Sequence, residues 1–147
     1  MSKEKTKKVF VQGAISPEKI AKSVSKHQTK TGTGAHSIFL GQVRADEING
    51  KKVTAIDYSA YEEMAEKEFH TIKEVALTKF DLTSVHIYHS LGVVKAGEIC
   101  LIVFTSSAHR NAATDACRFI VEELKVKVPI FGKELFEDQT HQWKVNR

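Results

Sequence analysis

The sequence predicts an α+β fold: an antiparallel or mixed sheet, three main helices and a small C-terminal β extension. Three observations carry the prediction. Helical periodicity over 61–79 and 111–126, with a shorter stretch after Ser16-Pro17-Glu18, is separated by pairs of extended segments, where a parallel doubly wound sheet would have single strands. Turn signals, Asn49-Gly50 and Lys95-Ala96-Gly97, fall inside those pairs, as local hairpins require. The unbroken apolar run ICLIVF at 99–104 predicts a central strand covered on both faces.

Each element has its own justification. Residues 1–8 are a basic tail expected to be disordered, and 9–147 a single domain that opens with a strand at 9–12. Ser16 is a natural N-cap with Pro17 at the first helical position, and Ile20, Ala21 and Val24 mark the inner face of a first helix. That helix should stop before the flexible polar loop at 29–34. A strand over 35–43 ends at Arg44, at the mouth of a loop over 45–51 whose length predicts mobility around Asn49-Gly50; the return strand is 52–58. The second helix, 61–79, turns Ala65, Phe69, Ile72, Val75 and Ala76 inward and its Glu and Lys residues to solvent. Strands at 85–90 and 98–104 follow, with a turn or bulge at Gly92, and the second delivers the chain into a turn at 106–110. The third helix buries Ala113, Ala116, Cys117, Ile120, Val121 and Leu124. Past Pro129, residues 133–136 and 141–145 read as short extended pieces.

Composition narrows the partners. A chain of 147 residues with 41% hydrophobic and 27% charged content is ordinary for a soluble domain. Three of the four net positive charges sit in residues 1–8, so the nearly neutral body offers no broad nucleic-acid footprint. Cys100 and Cys117 lie in apolar contexts and read as core residues. No stretch has the form of a signal peptide or a membrane span, which makes the cytoplasm the default location.

The candidate chemistry clusters at the two ends of the third helix. At its start, backbone N–H groups and the positive helix dipole join Ser106, Ser107, His109 and Arg110 as an anion site suited to a phosphate; the plainer reading is an N-cap with a surface His and Arg. At its end, Lys125, Lys127 and Lys133 flank Pro129. Lysines suit a helix C-terminus, but Val126, Val128, Ile130 and Phe131 beside them can desolvate an amine so that it binds an acyl group or takes a proton. The two ends are about 24 Å apart along a continuous helix, so one active site using both needs a second copy of the chain. His86 and His89 fall on opposite faces of a strand, which argues against a chelating pair, and no metal set is expected.

FLGQVR at 39–44, YEEMAEKEF at 61–69, HSLGVVKAGEICLIVFTSSAHR at 89–110 and FIVEELKVKVPIFGKELFED at 119–138 resemble the large, catalytic subunit of molybdopterin synthase, the MoaE family. The likeness spans 38–145. It implies an α/β-hammerhead-like fold and a sulfurtransferase. Such an enzyme carries sulfur from the C-terminal Gly-Gly thiocarboxylate of a small ubiquitin-like subunit to cyclic pyranopterin monophosphate, forming the dithiolene of molybdopterin, without a cofactor. It also implies a homodimer of large subunits within a heterotetramer. By the same resemblance Arg44, His109 and Arg110 bind substrate, with the His-Arg pair supplied by the neighbouring large subunit, and Lys125 and Lys133 are catalytic. Where the family pattern has its second active-site lysine this chain has Gly132, with Lys133 next to it. Two other readings remain: a non-catalytic module of the same fold that docks the carrier subunit or a phosphate ligand, and a phosphoesterase built on His109.

Overall fold

In the computed structural model, which describes residues 8–145, eleven elements follow the predicted α+β order with one short strand added. They are β1 (Phe10–Gln12), α1 (Pro17–His27), β2 (Ala35–Gln42), β3 (Glu47–Ile48), β4 (Lys51–Ala60), α2 (Glu62–Lys79), β5 (Ser84–Lys95), β6 (Ile99–Ser107), α3 (Arg110–Lys127), β7 (Ile130–Phe136) and β8 (His141–Trp143). The tail expected over 1–8 lies outside the described residues except for Lys8.

The strands form one mixed sheet in the order β2-β6-β5-β4-β7-β8, antiparallel throughout, with β1 added to β5 in parallel and β3 attached to β4. Residues Cys100 to Ser107 of β6 are buried between β2 and β5, as the apolar run predicts. Side chains alternate along β6. Val103 and Thr105 face α3, where Cys117 Sγ donates to the Val103 carbonyl and Thr105 Oγ1 to that of Ala113, whereas Ile102 and Phe104 pack with Ile15 under α1. Phe69 and Phe104 are wholly buried, each contributing roughly 1.5–3 kcal/mol of hydrophobic stabilisation.

Several elements differ from expectation for identifiable reasons. Ser16 caps α1 through its side chain, which accepts from the Lys19 N–H, but Ala21 points to solvent. The inner stripe runs Ile20, Val24, His27, at the i, i+4, i+7 spacing that keeps one face. In α2, Val75 is exposed while Ala65, Phe69, Ile72 and Ala76 are buried; one helix face holds only four of the five. Asn49-Gly50 makes a two-residue turn between β3 and β4, with φ of 52° and 77°, so the expected long loop contracts to a tight hairpin. Strand β4 does not return against β2, which pairs with β6 instead.

The sheet bends at β5. Ser84 to His89 pair with β6, and Gly92 to Lys95 pair with β4, so one 12-residue strand passes from one half of the sheet to the other. Gly92, with φ of 84°, sits at that crossover, where a residue with a Cβ would be strained.

Candidate active site

A cleft of about 530 Å³ opens between the C-terminal end of α3 and the bent half of the sheet. Its floor is built from side chains that share one face of three neighbouring strands. Ile56 of β4 lies opposite Glu134 of β7, which lies opposite Gln142 of β8; one step along, Tyr58 is opposite Gly132, whose carbonyl accepts from the Lys144 N–H at 2.7 Å. Lys125 enters from the last turn of α3, and Arg44 from the end of β2, where it pairs with Asp46 at 3.3 Å. Phe39, Phe131 and Trp143 supply an exposed apolar rim.

Buried polar groups tune the floor. Tyr58 donates to Cys100 Sγ at 3.5 Å, and burial, reinforced by Cys100 and then Glu134, raises its proton affinity so that the phenol stays neutral. His89 packs edge-on against Tyr58. Its Nδ1 lies 2.7 Å from the Ser90 carbonyl, which can only accept, so Nδ1 carries the proton. Burial pushes the pKa of His89 down to about 4, against the raising effect of that hydrogen bond, and the Lys125 charge lowers it further; the ring is a neutral wall of the site. Glu134 is buried to 1% exposure and accepts from Gln142 Nε2.

Arg44 and Lys125 therefore line one cleft, and His109 and Arg110 do not join them. Helix α3 is continuous from Arg110 to Lys127, and its 18 residues hold the two ends roughly 27 Å apart. His109 caps α3 with extended backbone and no side-chain cap bond, and both it and Arg110 are exposed. Ser106 and Ser107 are not donors for an anion there. Strand β6 runs three residues past 104 and buries both: His36 Nδ1 lies 2.7 Å from Ser106 Oγ, and Ser107 Oγ donates to the His109 carbonyl.

Lys133 is also outside the cleft. Strand alternation turns it to the opposite face from Gly132 and Glu134, and its ammonium stands 5.2 Å from the centre of the Trp143 ring. The lysine that does reach the floor beside Gly132 is Lys144, which sequence reasoning missed. The signal was available only as the strand pair 133–136 and 141–145, since an antiparallel register with Trp143 opposite Lys133 sets Lys144 beside Gly132.

A second polar cluster, also unforeseen, lies across the sheet. His27 Nδ1 donates to the Ser23 carbonyl at 2.6 Å, which leaves its Nε2 to accept from His86 Nε2 at 2.8 Å. His27 stacks on Phe104, with His36 edge-on to both rings. His86 and His89 do face opposite sides of β5, as strand alternation requires.

Known proteins resemble this chain in sequence and fold. A sequence profile of the MoaE protein family matches residues 11–127. The molybdopterin synthase catalytic subunit of Drosophila willistoni is 45% identical over 118 residues, 79% of this chain and 32% of the fly protein. The corresponding protein of Pyrococcus abyssi is 40% identical over 110 residues, 75% of this chain and 74% of its own length. This chain thus spans about a third of the fly relatives it matches and most of the archaeal one. The crystal structure of molybdopterin synthase from Staphylococcus aureus superposes with a TM-score of 0.81 at 29% identity, covering 98% of this chain and 100% of that one. A complex of subunits 1 and 2 of molybdopterin-converting factor from Helicobacter pylori shares the fold, with a TM-score of 0.80 at 20% identity over 94% of this chain and 90% of that one. Because the matched stretch begins within β1 and runs to the last residue of α3, taking in Arg44, His109, Arg110 and Lys125, the chain belongs to the MoaE family.

Proposed function

We propose that this protein is the catalytic subunit of a molybdopterin synthase. It transfers sulfur from the C-terminal thiocarboxylate of a small Gly-Gly-ended carrier subunit to cyclic pyranopterin monophosphate, in the cytoplasm. The observation that carries the reading is the cleft itself: apolar-rimmed, lined by Lys125 and Arg44, with neutral His89 and Tyr58 in its wall. A narrow tail without side chains could enter such a cleft, with its anionic end directed to the lysine. The helicobacter complex of two subunits supports a carrier partner of this kind.

In this mechanism Arg44 binds the substrate's anionic groups through charge-assisted hydrogen bonds. Lys125 orients the thiocarboxylate and stabilises the oxyanion that develops on the carrier carbonyl as sulfur leaves, or forms a transient acyl link to the tail. His109 and Arg110 complete the phosphate and pterin site from a second copy of the chain, within a homodimer that binds one carrier at each end. The continuous α3 supports this arrangement, since one copy holds its His-Arg pair a helix length from its own Lys125.

The test is direct. Purified protein, a thiocarboxylated carrier and the cyclic pyranopterin are expected to yield molybdopterin, detected by fluorescence of its oxidised derivative. Tight carrier binding with no turnover would instead favour a non-catalytic docking module, the reading that Gly132 supports.

A further inference from the structure

At Gly132 the floor of the cleft packs closely against the backbone. A Cβ there would stand 3.0 Å from Ile56 Cγ2, 3.4 Å from the Tyr58 ring and 3.7 Å from Lys144 Cβ, so no longer side chain fits without displacing its neighbours. Lys144 is opposite Gly132 in the antiparallel register and half-buried, and it lines the cleft together with Lys125. The side chain that Gly132 lacks would otherwise stand between Tyr58 and Lys144.

We infer that Lys144, packed beside Gly132, supplies the second ammonium of the cleft, and that Lys125 and Lys144 together bind the terminal carboxylate or thiocarboxylate of the carrier tail. This rests on the proposed function for the identity of the ligand, though not for the existence of the anion site. Two further observations agree with it. The cations lining the cleft are Arg44, Lys125 and Lys144, against the carboxylates Asp46, which pairs with Arg44, and Glu134, which accepts from Gln142; the balance leaves the floor one positive charge in excess. Burial and then the Lys125 charge lower the proton affinity of Lys144, more than Cys100 and Glu134 restore it, so keeping Lys144 charged in the cleft carries a cost that an incoming anion relieves. A thiocarboxylate and the carboxylate left when sulfur is replaced by water each carry one negative charge on two acceptor atoms, and so match a pair of ammonium donors. Lys144 also lies beyond the stretch that the family profile matches.

The probes are N-acetyl-Gly-Gly as the free carboxylate and as the carboxamide, with binding read by chemical-shift titration of the full chain. Wild-type protein is expected to prefer the carboxylate by about ten-fold or more, the scale of one charge-assisted hydrogen bond. Lys144→Ala should lower that preference several-fold, acting on the carboxylate far more than on the carboxamide. Lys144→Arg should keep part of it, and Lys67→Ala, which removes one exposed charge from α2, should keep all of it. A wild-type protein that does not discriminate, or a Lys144→Ala variant that discriminates as strongly as wild type, overturns the proposal. A parallel turnover assay with thiocarboxylated carrier separates the two readings: charge discrimination that depends on Lys144 without any molybdopterin formed would sustain the anion site and reject the synthase.

Discussion

Lys125 and His89 show how neighbours set the chemistry of single residues. Lys125 projects from the end of α3 into a cleft whose wall groups Tyr58 and His89 are held neutral, so the charge there is carried by lysine and arginine side chains, Lys125 among them. Replacing it by alanine is expected to lower molybdopterin formation by roughly 100-fold or more, the scale of losing a preorganised oxyanion donor. Far-UV circular dichroism and thermal unfolding should stay within error of wild type, because Lys125 lies in the last turn of α3 and outside the buried core. His89 makes a separate prediction about stability. Its folded pKa of about 4 lies below the ordinary 6.5. As pH falls through that window the unfolded chain takes up a proton that the folded one refuses, so stability drops toward pH 4 and is level above 6.5, by roughly 3 kcal/mol at most. Urea midpoints at pH 7.5 and 4.5 should therefore differ more in wild type than in His89→Gln. Equal differences would show that burial of this imidazole is not what the fold resists in acid.

At the scale of elements, the corner between β6 and α3 shows what local patterning conceals. Ser106, Ser107 and His109 read as a turn exposed to a ligand, yet β2 pairs with β6 as far as Ala35 and Ser107 and draws both serines into the sheet. Gly34 closes the corner: its N–H donates to the Ser107 carbonyl, and a Cβ there would collide with the carbonyl of Ala108. Gly34→Ala should destabilise the protein by about 1–3 kcal/mol, as backbone overpacking does, and should impair catalysis through displaced His109 and Arg110. A lower melting temperature with unaltered turnover would separate the corner from the site.

For the whole molecule, the length of α3 bears on the proposed assembly. If each site takes Lys125 from one copy and His109 from the other, Lys125→Ala and His109→Ala are each inactive alone. Mixing equal amounts and allowing exchange should restore about a quarter of wild-type activity, since half the dimers are mixed and each has one intact site of two, under two-fold symmetry. No recovery after verified exchange would mean that the two ends of the helix serve different purposes.

The sequence by itself determined the element order, the central strand at 99–104, the capped start of α1 and the separation of His109 from Lys125, because each depends on periodicity or chain length within a single element. It also placed Arg44 at the end of its strand and Lys125 at a helix terminus, and the cleft brings the two together. Tertiary structure alone decided the rest. The partners of β2 and β4, the burial of Ser106 and Ser107, and the contact between His27 and His86 across 59 positions all depend on which strands lie side by side. The same is true of the exchange between two lysines. One step along a strand turns a side chain to the other face, so Lys133, adjacent to Gly132 in sequence, stands over Trp143, while Lys144, twelve residues on, reaches the cleft by lying opposite that glycine.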